Sequence, residues 1–376
     1  MKTTIALVKQ ISLPDLYVCE TKSSIRDVLF STMMRVGPLG LFHEFDCDFY
    51  IVNVAPEKEC NLWKEINQTP INGPVELLLQ LEDKLINEIP GQEFKKPGST
   101  LPNGYFAKDV NEIDWSCYDI VISLNISVPS HIVKKNPNTL WCYMFMEPNQ
   151  NMDKVYFNYD VSLNHYISGI SYGRPGVIDF PYTFLHPGLL AKIIKEYVGR
   201  DSLKNGIFCD ISCSKKIGEE KHITTPPQHL LALKETGFEL KVHQQNIRDN
   251  LKTIYDSKYV VKVGGSPMRG NSVIEAISLG SLFIGDPDLI LLKLLVPSEC
   301  RVKNTTEALR LIERLETCPE KFWELWWMQR TISQLCVIDR PSESLHRILT
   351  YKRTYGPLKE TMIRKLYKKL KKFVKS

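Results

Sequence analysis

Between residues 204 and 290 short apolar runs alternate with amphipathic ones, and the connections between them are short. "GIFCDIS" reads as a strand, "PPQHLLALKETG" as a helix opened by prolines and closed by Gly237, and "FELKVH" as the next strand. "IRDNLKTIYDS" follows as a helix, "KYVVKVG" as a strand, "NSVIEAISLG" as a helix stopped by Gly280, and "LFIGD" as a strand. Strands that alternate with helices in this way pair in parallel, with helices covering both sheet faces. The stretch therefore predicts a doubly wound α/β sheet, whose ligands bind beyond the C-terminal ends of its strands.

At 376 residues the chain exceeds the size at which single cores stop growing, so two domains are expected. The front half also reads α/β. "IRDVLFSTMMRVG" and "VELLLQLEDKLINEI" have helical spacing, whereas "DFYIVNVA", "YDIVISLN", "TLWCYMF" and "YDVSLNH" read as strands, followed by "VIDFPYTF". Residues 88–115, rich in Gly, Pro and charge, read as a surface loop or insertion, and "PYTFLHPGLL" as an interdomain linker. The expected division is 1–185, 186–350 and a basic C-terminal helix, 351–376. After residue 300 the pattern is helical and aromatic, and Trp323, Trp326 and Trp327 read as core or interdomain packing, the alternative being a sugar-stacking platform.

The richest chemistry lies in "GGSPMRGNSVIEAISLGSLFIGD", residues 264–286. Gly264 and Gly265, with Ser266 beside them, let a ligand approach the backbone, and the helix start at Asn271 and Ser272 offers free N–H groups to an anion. Arg269 adds a charge suited to a diphosphate. Glu275 can project toward the crevice as an acceptor for a ribose diol, while the alternative is a capped helix with an exposed glutamate.

"GNSVIEAISLGSLFIGD" resembles the C-terminal donor motif of GT-B glycosyltransferases, in which a small-residue loop, a helix of the type x-x-E-A-x-x-x-G and an apolar strand bind a nucleotide sugar. Many retaining members carry a second glutamate eight residues before the first; Pro267 stands there in this chain, which favours inversion. A second block, residues 145–184, is similar in order to fucosyltransferase-like and exostosin-like members: Glu147, then "FNYD", then Arg174 with "PYT". The resemblance implies a GT-B fold, two doubly wound Rossmann-like domains facing a central cleft, with a nucleotide-sugar donor on the C-terminal domain and a glycan or glycolipid acceptor on the N-terminal one. Inversion needs a base for the attacking hydroxyl, for which Glu147 is the first candidate and His165 the second. Arg269 and either Lys215 or Lys216 would neutralise the leaving diphosphate, with no metal or other cofactor expected. The rivals are a retaining transferase, another GT-B reaction such as sugar-nucleotide epimerisation, and a noncatalytic nucleotide or glycan receptor.

Charge is concentrated at the C-terminus. Residues 359–376 hold eight Lys/Arg and one Glu out of 48 and 43, which leaves a net −2 on the rest and argues against a nucleic-acid surface. In "KETMIRKLYKKLKKFVKS" apolar residues recur at three- and four-residue steps opposite the lysines, the profile of a helix lying on an anionic membrane, the alternative being a C-terminal helix packed across the domains with a solvated lysine face. No run spans a bilayer and no signal peptide is evident, so a cytoplasmic protein, peripheral on a membrane's inner face, is expected. The ten cysteines form no CxxC pair and read as reduced core thiols. "DCD" at Asp46–Asp48 has metal-binding spacing, but it comes before a strand rather than after one and is not expected to bind metal.

Overall fold

The computed structural model describes residues 3–10, 46–53, 105–124, 128–145, 159–164, 177–180, 187–211, 225–243, 247–265, 271–290 and 292–355. It divides into two compact units. Unit 1 comprises Met1–His165, Gly169–Phe180 and Pro341–Ser376; unit 2 comprises Tyr166–Ser168 and Pro181–Arg340.

Among the described residues, unit 1 has seven strands: β1 (Thr4–Gln10), β2 (Asp46–Asn53), β3 (Tyr105–Asp109), β4 (Ile120–Leu124), β5 (Leu140–Phe145), β6 (Val161–Asn164) and β7 (Val177–Asp179). They pair in parallel in the order β3-β2-β1-β4-β5-β6-β7, a Rossmann order that reverses between β1 and β4. Ile5 to Val8 in β1 and Ile120 to Ile122 in β4 are wholly buried, as expected of parallel strands covered on both faces. Tyr50, Trp115, Trp141 and Tyr159 stack through tilted and edge-on contacts, with centroids 5.7 to 6.2 Å apart. Burial of these rings is possible because their polar tips are bonded: Trp115 Nε1 donates to Val110 O at 3.0 Å, and Trp141 Nε1 to Asn136 O at 3.1 Å.

Between β4 and β5 lies a short helix, α1 (Ser130–Lys135). In unit 2, α2 (Pro187–Val198) leads into β8 (Gly206–Cys209), a 3₁₀ segment at Gln228–Thr236 and β9 (Glu239–Lys241). Then come α3 (Ile247–Tyr255), β10 (Ser257–Lys262), α4 (Asn271–Ser278) and β11 (Leu282–Gly285). Helices α5 (Thr305–Thr317) and α6 (Pro319–Ser333) complete the unit before a π-helical turn at Gln334–Asp339. The sheet is parallel in the order β11-β10-β8-β9, and a parallel bridge from Gly285 to Arg301 extends it past β11. It is doubly wound, with its reversal between β8 and β10.

Each unit thus has the Rossmann-like α/β topology that the strand and helix pattern predicts, but the boundaries differ. The division falls at Phe180/Pro181, and α7 (Arg340–Tyr355) returns to unit 1 instead of ending the second domain near residue 350. The reason is an anchoring of α7 on the starts of three strands. Lys352 Nζ donates to Thr139 O and Asp160 Oδ2, both at 2.6 Å, and Arg353 pairs with Asp119. Tyr105–Asp109, expected within the 88–115 loop, forms β3 against β2, and Trp115 is buried rather than on a surface loop. The last four residues of the expected linker, 187–190, are the start of α2, which opens on Pro187, a residue whose missing N–H costs nothing in a first helical turn. The helix expected at "PPQHLLALKETG" is 3₁₀, which stacks the buried Leu230 and Leu233, three residues apart, on one side. Helices expected at residues 25–37 and 75–89 lie outside the described residues.

Candidate functional site

The reversal point of the unit 2 sheet collects its unusual polar residues. β8 ends at Cys209 and passes to Asp210, β9 passes to His243, and β10 ends with Lys262 and runs into Gly264 and Gly265. Both glycines have φ near +76°, where any side chain would be strained, so the turn depends on residues without Cβ. A Cβ on Gly264 would also meet His229 Nε2 at 3.1 Å. That imidazole lies 3.2 Å from Val263 O and ties the glycine turn to the 3₁₀ segment. Six residues further on, α4 begins at Asn271.

Asp210 occupies the floor of this site at 4 % exposure. Its Oδ1 lies 3.4 Å from His243 Nε2, and the imidazole, itself partly exposed, packs edge-on to Phe208 with centroids 5.1 Å apart. Burial by itself raises the Asp210 pKa. The hydrogen bond and charge of His243, the Ser272 hydroxyl and the charge of Lys262 together outweigh burial, so the carboxyl is held below its ordinary range and is ionised at neutral pH. Its Oδ2 is buried with no hydrogen-bond partner among the described residues. Neighbouring Cys209 is no nucleophile, because burial and the Asp210 charge push its thiol up to about 12.

Of the residues expected from sequence, Gly264 and Gly265 follow the end of β10, and Ser272 and Glu275 lie on α4. Asn271 opens α4, though its side chain is outside the described set, as are Ser266, Arg269, Lys215, Lys216, Glu147 and His165. Glu275 is 3 % exposed, so its carboxylate is covered rather than presented at the surface. Asp210, His243 and His229 escaped the sequence reading. The signal for the first two was a polar residue directly after an apolar strand, in "GIFCD" and "FELKVH"; His229 carried none.

Elsewhere the expectations divide. Trp326 is buried, with Nε1 donating to Ile277 O at 3.2 Å, but Trp323 and Trp327 are 52 % and 57 % exposed, because α6 presents only one side to the sheet. β2 begins at Asp46, so the "DCD" aspartates lie inside the strand instead of ahead of it, and Asp48 Oδ2 accepts a bond from Tyr118 OH at 2.5 Å. Among the described residues no group of three or more His, Cys, Asp or Glu is placed to hold a metal. The six cysteines whose side chains are described are free; Cys117 and Cys318 are exposed and the other four buried. A cavity of about 370 Å³ in unit 1, lined by Tyr118, Asp119, Lys135, Lys352 and Arg353, lies at the N-terminal ends of the strands, away from the ends where such sheets bind ligands. Among the described residues no helix is long and apolar enough to cross a membrane, and the basic tail lies outside them.

The described geometry defines the class as a protein of two doubly wound parallel α/β units. No family model matches the sequence, and no curated protein matches it. Among solved structures, the chain is similar to an alpha-glucosyltransferase in complex with UDP-glucose and DNA containing an abasic site, at 10% identity and a TM-score of 0.44, covering 92% of this chain and 99% of that one. It is similar to an alpha,alpha-trehalose 6-phosphate synthase from Burkholderia multivorans at 8% identity and a TM-score of 0.43, covering 94% and 97%. A third is the DNA-modifying enzyme beta-glucosyltransferase, whose substrate is uridine diphosphoglucose, at 9% identity and a TM-score of 0.40, covering 93% and 100%. All three are distant likenesses, and the chemistry of this chain rests on its own residues.

Proposed function

We propose that this chain is a GT-B glycosyltransferase, moving a sugar from a nucleotide sugar held by unit 2 to a glycan or lipid-linked glycan acceptor. The observation that carries this reading is the left-handed Gly264–Gly265 turn at the end of β10, just ahead of α4 and at the reversal point of a parallel sheet. Open backbone beside a helix start is suited to a diphosphate. The resemblance of "GNSVIEAISLGSLFIGD" to a donor motif supports the same assignment.

In this reading Gly264, Gly265, Ser266, Asn271 and Ser272 approach the diphosphate. Arg269 with Lys215 or Lys216 neutralises it as it leaves, and Glu275 takes the ribose diol. Glu147, or failing it His165, removes the proton of the acceptor hydroxyl, so transfer inverts the anomeric centre without need of a metal. A thermal-shift screen against nucleotide sugars tests this: a true donor at 100 times its Kd adds about 2.7 kcal/mol to stability. Glu275→Ala should weaken that donor, whereas Glu147→Ala should bind it and turn nothing over. A flat screen would remove the donor assignment, and binding without transfer would point to a receptor.

The basic tail, residues 359–376, is assigned to an anionic membrane surface, which would bring a cytoplasmic enzyme to a membrane-borne acceptor. Deleting it should abolish sedimentation with phosphatidylserine vesicles while donor binding persists. Unchanged sedimentation would remove the membrane from the proposal.

A further inference from the structure

Asp210 belongs to none of the roles assigned above, yet it is the carboxylate at the centre of the site. It is ionised and 4 % exposed; His243 holds Oδ1, and Oδ2 is without a partner among the described residues. A buried charged oxygen without a donor is costly, so a polar ligand that supplies one gains a strong bond. The diphosphate cannot be that ligand group, since its oxygens only accept and carry the same charge. The groups bonded to either end of a nucleotide sugar's diphosphate are the ribose and the transferred sugar, and both bear hydroxyls that donate. The Ser272 hydroxyl on the first turn of α4 is felt by the same carboxylate, which sets Asp210 beside the helix start where the diphosphate would lie.

We infer that Asp210 is a donor-specificity residue: Oδ2 accepts a hydroxyl of the nucleotide sugar, and His243 fixes the carboxylate by holding Oδ1. Oδ2 is closed to solvent, so a donor hydroxyl would reach it by parting the partly exposed side chains of His243 and Ser272. The inference rests on the donor assignment for unit 2 and adds the chemistry that the glycine turn and helix start lack, a reader of neutral hydroxyls.

The experiment measures the affinity of wild type and Asp210→Asn for UDP, UDP-glucose, GDP and GDP-mannose by calorimetry. A bond from a hydroxyl to a charged acceptor corresponds to a loss of roughly tenfold to a hundredfold in the variant. A loss confined to the nucleotide sugar assigns Asp210 to the sugar, and an equal loss with the bare diphosphate assigns it to the ribose. Wild-type affinity in a variant that melts earlier means a structural carboxylate and overturns the inference while the donor assignment stands. Wild type that binds none of the four probes removes both. Should Asp210→Asn fail to fold, wild type and Glu275→Ala are both measured against 2′- and 3′-deoxyribose diphosphates and deoxy-sugar donors, so that only a loss that persists without Glu275 is assigned to Asp210. One of them must lose at least tenfold, and affinity equal to the parent compounds throughout overturns the inference.

Discussion

Replacing Lys352 by methionine should destabilise unit 1 by about 3–5 kcal/mol, the usual consequence of removing one member of a buried ion pair. The Lys352 side chain is 4% exposed and its partner, the Asp160 carboxylate, 14%. Methionine fills much of the same volume but leaves Asp160 with a charge matched, among the described residues, only by the Trp141 N–H, which donates to Oδ2 at 2.9 Å. It also strips Thr139 O of its ammonium donor. Because Asp160 and Thr139 directly precede β6 and β5, the loss frees α7 from the sheet as well. Urea unfolding should show the midpoint of unit 1 falling, with protease cleavage appearing near Arg340. Adding Asp160→Asn should recover part of the loss, since the two residues form one interaction. A variant as stable as wild type would mean that α7 is held by its apolar side and the Arg353–Asp119 pair.

Gln329→Leu should cost unit 2 about 2–4 kcal/mol, although it replaces an uncharged residue by a more hydrophobic one. Gln329 is wholly buried on α6, and its amide does for β11 what a neighbouring strand would do. Oε1 accepts from Phe283 N at 3.0 Å, and Nε2 donates to Phe283 O at 2.7 Å. Leucine removes both partners at once and leaves two buried backbone groups unsatisfied, at about 1–3 kcal/mol each, against a small gain in apolar burial. Gln329→Glu separates the two bonds, since a carboxylate accepts from Phe283 N but cannot donate to Phe283 O. The expected order in chemical denaturation is wild type above both variants. A leucine variant equal to wild type would show that β11 needs no such partner.

Much of the fold was legible from local pattern. Gly206–Cys209, Ile247–Tyr255, Asn271–Ser278 and Leu282–Gly285 fall inside the runs marked out by apolar spacing, prolines and glycines, and Ser257–Lys262 starts one residue before its run, because those signals act over a few residues. The pattern failed where a distant partner decides the outcome. Tyr105–Asp109 lies in polar, proline-rich surroundings and is a strand because β2 offers it an edge. Arg340–Tyr355 carries no mark of the domain it joins; Asp160, 192 residues before Lys352, supplies it.

The candidate site divides in the same way. Its glycine turn and helix start could be read directly, since a left-handed turn and an unpaired helix end are properties of consecutive residues. Asp210 and His243, 33 residues apart, meet only because β8 and β9 pair in register, and Ser272 joins them only because β10 lies on the other side of β8. Periodicity is written along the chain and determines that strands and helices alternate. The order of the strands in the sheet, set by crossovers and by burial of both sheet faces, decides which strand ends become neighbours and hence which carboxylate stands at the centre of the site.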